Sequence, residues 1–497
     1  MSFETMWTPD LSARTGPRYA AIADALAADV GAGRVTAGER LPTHRELARL
    51  LAVTVGTVSR AYAEAQRRGL VSGEVGRGTF VRDDAVAVAA AGTAATALSF
   101  GEPLGEPLGE PFGEPFGEPF GEPLRVDDGL IDLGPAVPAS PLHDEEERVL
   151  REAFAALGRA ADLPSLLGCQ PHAGMGRHRE AAAAWLSELG LKVPPGRVLI
   201  TSGAQHAMAV TFAAVARPGD LVLTEDVTFP GMKGLANLMH LRLQGLAMDA
   251  DGLCPDAFEH AARQGESRVL YTIPTHHNPT ATVMPEERRR EIVAVARRHG
   301  VTIVEDDVYG FLPRERPPSF AALAPELAYS IHGTSKIVVP GLRVGFLAAP
   351  EAMVERLAAG IWATTWMASP PMAEIVSRWI ADGTLRRFLA WRRDEAEVRV
   401  AIARRVLDGA ELSASPRGFF VWLRLPEPWC ATDFVNLARR RGVLVIPPET
   451  FVAGRGRVPH AVRVSLAAIR ERERLEEGLT ILAGLLAEPP SPCVFVP

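Results

Sequence analysis

Of the 53 basic residues in this chain only three are lysine, Lys192, Lys233 and Lys336; arginine supplies the rest. A lysine kept against that preference points to chemistry a guanidinium cannot do, above all formation of an imine with an aldehyde. Lys336 has the company for it. It lies in HGTSKIVVPGLRVGF, residues 332–346, directly after Ser335 and seven residues before Arg343. A small hydroxyl and a permanent cation are what a phosphate group requires, so the stretch suits a phosphorylated aldehyde. Taken alone, a lysine in a loop reads as well as a structural or exposed residue, and its meaning depends on the other segments.

Four of these carry compatible groups. TSGAQHAM (201–208) sets Ser202, Gly203, Ala204 and Gln205 at a strand-to-helix junction. Small residues there let the backbone approach a phosphate, and the helix N-terminus offers it N–H donors. EDVTFPG (225–231) places Phe229 after a strand end, either as a plane to stack on a ring or as a core phenylalanine. THHNPTATVMP (275–285) holds Asn278 in a Pro-flanked loop, and VEDDVYG (304–310) ends a strand with Asp306 and, three residues on, Tyr309. A carboxylate facing a pyridine nitrogen keeps it protonated and makes the ring an electron sink; Asn278 and Tyr309 could hydrogen-bond a phenolic oxygen. The acidic triplet reads otherwise as solvated or metal-binding, but no paired His/Asp cluster accompanies it and no metal is expected.

These groups must be positioned by strands. From about Ile131 short apolar runs recur: VLIT (198–201), LVLTE (221–225), VLYTIP (269–274), VTIVEDD (301–307) and YSIHG (329–333), several separated by helical patterns such as PEERRREIVAVARRHG. That alternation predicts a parallel or mixed sheet covered on both faces by helices, with ligands at the carboxyl edge. From about residue 370 a long helical stretch leads to GFFVWLRL, VLVIP and AVRVSL, a smaller C-terminal α+β lobe over about 370–490.

The N-terminal region, residues 12–82, has a different grammar. Tyr19, Ile22, Leu26 and Val30 share one helical face. Thr43 followed by Glu46 forms a capping box that starts a second helix, burying Leu47, Leu50 and Leu51. Thr54 caps a third helix with Val58, Tyr62 and Ala65 inward and Thr57, Arg60 and Arg67 outward; LVSGEVGRGTFV then reads as a hairpin with a Gly-Arg-Gly tip. Helix, helix, turn, helix and hairpin make a winged helix-turn-helix, mainly α with a β wing. Between Arg14 and Arg82 eleven arginines face six acids, a net charge of +5, although the whole chain carries −7. A basic head on an acidic chain suits a polyanion.

Residues 83–130 join the two parts. Ten acids there face one arginine, and residues 101–124 are six tandem GEPL or GEPF tetrapeptides. Proline at every fourth position excludes a helix or an interior strand and predicts an extended, self-repelling linker. The scattered cysteines Cys169, Cys254, Cys430 and Cys493 suit a reducing cytosol, and the apolar run 85–100 is a poor membrane span, so a cytoplasmic chain with no membrane partner is expected.

The order GAQ, TFPG, HNPT, EDDVY, TSK, PGLRVGF resembles the fold-type-I aminotransferases over residues 131–490. The resemblance implies pyridoxal 5′-phosphate joined to Lys336 as a Schiff base, with Asp306 on the pyridine nitrogen and Asn278 and Tyr309 on the phenolic oxygen. Phe229 would stack on the ring, and Ser335, Arg343 and the 203–205 loop, next to Ser202, would hold the phosphate. RVSL (463–466) matches the family's carboxylate-binding arginine, so Arg463 would grip an α-carboxylate; a surface-strand arginine is the alternative. Two positions depart from the pattern: Gly333 replaces a hydroxyl residue three before the lysine, and Cys169 replaces a tyrosine that in relatives reaches the neighbouring subunit's phosphate. Residues 18–82, through LPTHREL, TVSRAY and GRGTFV, are similar to the GntR-type winged helix-turn-helix, which implies Arg45, Thr54, Thr57, Arg60 and Arg77 as contacts to double-stranded DNA. Val55 and Gly56 stand where relatives often carry a polar reader. The combination resembles the MocR branch of the GntR regulators. It implies a homodimer whose DNA affinity responds to the cofactor, or to an amino acid or amine captured by it. The rival reading is a working aminotransferase carrying a regulatory head, since Lys336, Asp306, Arg343 and Arg463 are all present.

Overall fold

The computed structural model describes residues 7–9, 18–51, 53–67, 70–74, 78–82, 129–139, 144–454 and 456–488. They fall in two compact units, Met1–Gly113 and Glu114–Pro497.

In the first unit, α1 (Arg18–Gly31) buries Ile22, Leu26 and Val30, as its spacing requires. Helix α2 (His44–Leu50) starts at the expected capping box: Glu46 N–H donates to Thr43 Oγ1, and Thr43 N–H donates back to Glu46 Oε2 at 2.9 Å. Such a cap stabilises a helix by about 1 kcal/mol. Leu47 is buried, whereas Leu50 is exposed and Leu51 half-buried. That corrects the inward assignment of Leu50 alone: the helix ends there with its buried stripe running through Leu47 and Ala48, while Leu51, just past the end, packs against the head core. In α3 (Val55–Arg67) Val58, Ala61, Tyr62 and Ala65 face the core, and the Tyr62 hydroxyl donates to Pro42 O at 2.8 Å. Strands β1 (Val71–Glu74) and β2 (Gly78–Val81) pair antiparallel as the wing.

The first strand of the second unit among the described residues is β3 (Ile131–Asp132). Its centre is a seven-stranded sheet made from β4 (Val198–Thr201), β5 (Leu221–Glu225), β6 (Arg242–Leu246), β7 (Ser267–Thr272), β8 (Thr302–Asp306), β9 (Ala328–Gly333) and β10 (Gly345–Ala348), in the order β4-β10-β9-β8-β7-β5-β6. Only β10 runs antiparallel to its neighbours, so the sheet is mixed. Residues of β4 alternate between two hydrophobic cores, Val198 and Ile200 in one and Leu199 in the other. A sheet with cores on both faces needs apolar side chains at successive positions, which is why these strands read as unbroken apolar runs.

The smaller lobe follows the 23-residue helix Thr384–Val406 and holds an antiparallel sheet of Leu412–Ser413, β11 (Phe420–Arg424) and β13 (Ala461–Ser465). Strand β12 (Val443–Leu444) pairs in parallel with β3, so β3 is built into the small lobe. The helix Arg472–Ala487 packs there, and a Cβ at Gly478 would stand 2.9 Å from Ile131 Cγ2. No helix among the described residues is long and apolar enough to cross a membrane.

Candidate functional site

The carboxyl edge of the sheet gathers the predicted groups. A cavity of about 180 Å³ is lined by Ala204 and Gln205 after β4, Phe229 after β5, Asn278 after β7, Asp306 and Tyr309 at the end of β8, and Ser335, Lys336 and Arg343 after β9. Chain reversals at this edge put loops from many strands around one point, as sheets of this type do.

Strand alternation explains how an acidic triplet serves one reactive site. In Glu305-Asp306-Asp307 the outer two carboxylates turn away from the cavity: Glu305 lies 3.5 Å from the buried Arg289 guanidinium and Asp307 lies 2.9 Å from that of Arg316. Asp306 alone points into the cavity. It is buried, accepts the Tyr271 hydroxyl at 2.8 Å and is pushed up to about 6 by burial, with the Tyr271 bond pulling the other way. Tyr271, inside an apolar strand, was not singled out from sequence; its one polar atom in VLYTIP was the available signal. Metal-binding clusters are absent among the described residues.

Lys336 is half-buried. Its ε-amine donates to Ala136 O at 2.6 Å and lies 5.6 Å from the centre of the Tyr309 ring. Burial is the main force that lowers this amine to about 7; the charges of Arg463 and Arg343 add to it and Asp306 opposes it. Half-neutral at neutral pH, it is a competent nucleophile. The Tyr309 hydroxyl donates to the same Ala136 carbonyl at 3.3 Å.

The phosphate end is shaped by close approach. Gly203 has φ +86° and caps α4 (Ala204–Val215) without a side chain, leaving the first-turn N–H groups for a ligand. A Cβ at Gly203 would sit 2.6 Å from Arg343 Nη2. Arg343 is exposed at the mouth, with loose bonds of 3.5 Å to Ser335 Oγ and 3.4 Å to Ser202 O. At the Gly333 departure a Cβ would meet Ala204 Cβ at 3.4 Å, an ordinary contact, and nothing in the structure explains the glycine. Ser202 and Gly203 do not line the cavity; Ser202 N–H is taken by His206 Nδ1 at 3.1 Å.

Arg463 also lies outside the cavity lining, and it is buried, which removes the surface-strand reading. Nη1 donates to Asn278 Oδ1 at 2.8 Å and Nη2 to Gly134 O at 2.7 Å, while Nε is buried without a hydrogen-bond partner. A second residue missed from sequence is His276. Its Nε2 accepts Phe419 N–H at 3.2 Å, tying the Asn278 loop to the small lobe. Burial drives it down to about 3, so it is neutral. Cys169 is an exposed free thiol.

On the head, Arg45 and Thr54 are exposed; Thr57 is half-buried, and its N–H donates to Thr54 Oγ1 at 3.2 Å. Arg60 is exposed but its guanidinium lies 4.2 Å over the Tyr19 ring, braced by α1. Arg77 lies outside the described residues.

The donor set fits pyridoxal 5′-phosphate: an amine poised near neutrality, a buried carboxylate, an aromatic wall at Phe229, and a glycine-and-arginine cradle that a side chain at position 203 would fill.

Comparison with known proteins agrees. Residues 139–482 match the family of aminotransferases class I and II, and residues 18–81 match the bacterial regulatory proteins of the gntR family. The chain is 30% identical to the uncharacterized HTH-type transcriptional regulator YdeF of Bacillus subtilis (strain 168), over 98% of both chains, and 26% identical to the uncharacterized regulator YdcR of Escherichia coli (strain K12), over 88% of this chain and 92% of that one. Among solved structures, an α-aminoadipate aminotransferase of Thermus thermophilus, complexed with N-(5′-phosphopyridoxyl)-L-leucine, superposes with a TM-score of 0.65 at 26% identity, covering 72% of this chain and 92% of that one. An archaeal alanine:glyoxylate aminotransferase gives 0.66 at 23% identity over 72% and 91%. The chain belongs to the class I and II aminotransferase family and, by its GntR head, to the MocR-type HTH transcriptional regulators.

Proposed function

We propose that this regulator senses pyridoxal phosphate, or an amino acid or amine captured through it, at Lys336, and converts that event into a change of DNA affinity. One observation carries the reading: a lysine amine lowered to about 7 shares a cavity with a buried carboxylate in a chain that begins with a winged helix-turn-helix. When bound, the cofactor supplies an aldehyde that captures amines and a ring that withdraws electrons.

The chain's residues divide the remaining work. Asp306, fixed by Tyr271, provides negative charge for a ring nitrogen. Asn278 keeps its amide N–H₂ for the cavity because its oxygen is committed to Arg463. Arg463 retains Nε–H and one hydrogen on each terminal nitrogen, and these can take an effector's α-carboxylate. Arg45, Thr54, Thr57, Arg60 and Arg77 are assigned to DNA, and a pair of chains joined through their large domains to paired half-sites.

The test is a spectrum and a footprint. Purified protein given pyridoxal phosphate should show a visible-range band that borohydride fixes on the Lys336 peptide and that Lys336→Ala lacks. The same preparation should protect repeats in DNA from directly upstream of its own coding sequence. A colourless protein refutes the sensor. Steady turnover of an amino donor with a 2-oxo acid, with no protected DNA, would make the chain an enzyme instead.

A further inference from the structure

We infer that the segment Gly134–Val137 is a strap that transmits attachment at Lys336 to the chain leading toward the DNA-binding head. This rests on the sensor reading above and adds the path. The strap has three successive carbonyls, and each is held by a side chain of the site or of strand β13. Gly134 O accepts Arg463 Nη2 at 2.7 Å, Pro135 O accepts Ser465 Oγ at 2.6 Å, and Ala136 O accepts both Lys336 Nζ at 2.6 Å and the Tyr309 hydroxyl at 3.3 Å. The next residue, Val137, lines the cavity.

Both donors on Ala136 O are groups the cofactor claims. Lys336 Nζ condenses with an aldehyde by forming a C=N bond and giving up two hydrogens, which leave with the carbonyl oxygen as water. The nitrogen then carries at most one hydrogen. A Tyr309 hydroxyl donating to a ring oxygen cannot also donate to Ala136, since a phenol has one hydrogen. Loading the site therefore strips a buried carbonyl of its partners, and an unpartnered buried carbonyl moves or finds another donor.

The movement has a short route. Only seven residues upstream of Ala136, Gly129 O accepts Arg474 Nη2 at 2.9 Å, and immediately before Gly129 comes the acidic, GEP-repeated segment that joins the head. Between them Ile131 N–H and Leu133 N–H bond to Gly442 O and Leu444 O at 2.7 and 2.9 Å, so β3 registers any shift of the strap against the small lobe. Gly478 sets how closely β3 seats: a Cβ there would meet Ile131 Cγ2 at 2.9 Å and Leu133 Cδ1 at 3.2 Å.

Hydrogen–deuterium exchange on the full chain tests this, with and without pyridoxal phosphate, beside the absorption spectrum of the same sample. With the band present, amides 131–139 should exchange at least about threefold faster, while those of β5 stay unchanged. Arg474→Ala and Gly478→Ala should keep the band and the cofactor-free DNA affinity, yet lose most of the cofactor-driven shift in that affinity. Arg474→Ala, at a half-buried position, carries the test should Gly478→Ala not fold. A full band with unchanged exchange over 131–139, or a full DNA shift in Arg474→Ala, overturns the strap and leaves the sensor standing. Absence of the band removes the sensor, and the strap with it.

Discussion

Gly203→Ala isolates the phosphate cradle from everything else at the site. The residue sits at φ +86° and ψ 170°, a region essentially reserved for glycine, and holding alanine there costs about 1–3 kcal/mol. The new Cβ would also stand 2.6 Å from Arg343 Nη2 and 2.9 Å from Cζ, so the guanidinium must leave its place. Losing a charge-assisted bond to phosphate removes about 1.5–3 kcal/mol. The backbone strain burdens the free and the loaded protein alike and lowers stability; the lost bond alone weakens cofactor binding about 10- to 150-fold. Titrating the visible band with pyridoxal phosphate measures this, alongside thermal unfolding to confirm the fold. Gly176→Ala is the matched control, because a Cβ there meets nothing within 4 Å and its backbone is at ordinary φ. Equal affinities for wild type, Gly203→Ala and Gly176→Ala would refute the cradle.

Other outcomes follow from the same structure. Capture of the cofactor should accelerate about tenfold from pH 6 to pH 8 and level off above it, because the Lys336 amine, lowered to about 7, loses its proton over that interval; stopped-flow absorbance would show about a hundredfold rise with no levelling if the amine were ordinary. Arg289→Met should destabilise the large unit by about 3–5 kcal/mol in denaturant unfolding, since it takes from the buried Glu305 its ion-pair partner and from Met284 O and Thr275 Oγ1 a hydrogen-bond donor. Leu47→Ala, in the fully packed head core, should cost about 2–5 kcal/mol and abolish DNA binding while the chromophore persists. Arg45→Ala should weaken DNA binding and lower the slope of log affinity against log salt by about one if it meets a phosphate; an unchanged slope would remove it from the interface.

Much of this was legible from the chain itself because it was written in side chains. Continuous apolar runs marked the strands, and the residues just past their ends, Phe229, Asn278, Asp306 and Lys336, proved to share one cavity. What stayed hidden was carried by backbone or by burial. The carbonyls of Gly134, Pro135 and Ala136 have no sequence signature. Tyr271 was masked by its apolar neighbours, and the RVSL motif that marks Arg463 as a carboxylate grip does not reveal that its guanidinium is enclosed beside Phe420 and Phe451. Leu50 misled for the opposite reason: helical spacing was extended one residue past the point where the helix stops burying its face.

Whether chemistry at one lysine governs the grip on DNA is tested directly by fluorescence anisotropy of a labelled upstream fragment. The fragment is titrated with wild type and with Lys336→Ala, each with and without pyridoxal phosphate. Wild type should shift its DNA affinity at least about fivefold on adding the cofactor, the lower bound of ordinary coupling free energies. Lys336→Ala should show no shift. Identical curves for wild type in the two conditions, with the visible band present, would contradict it.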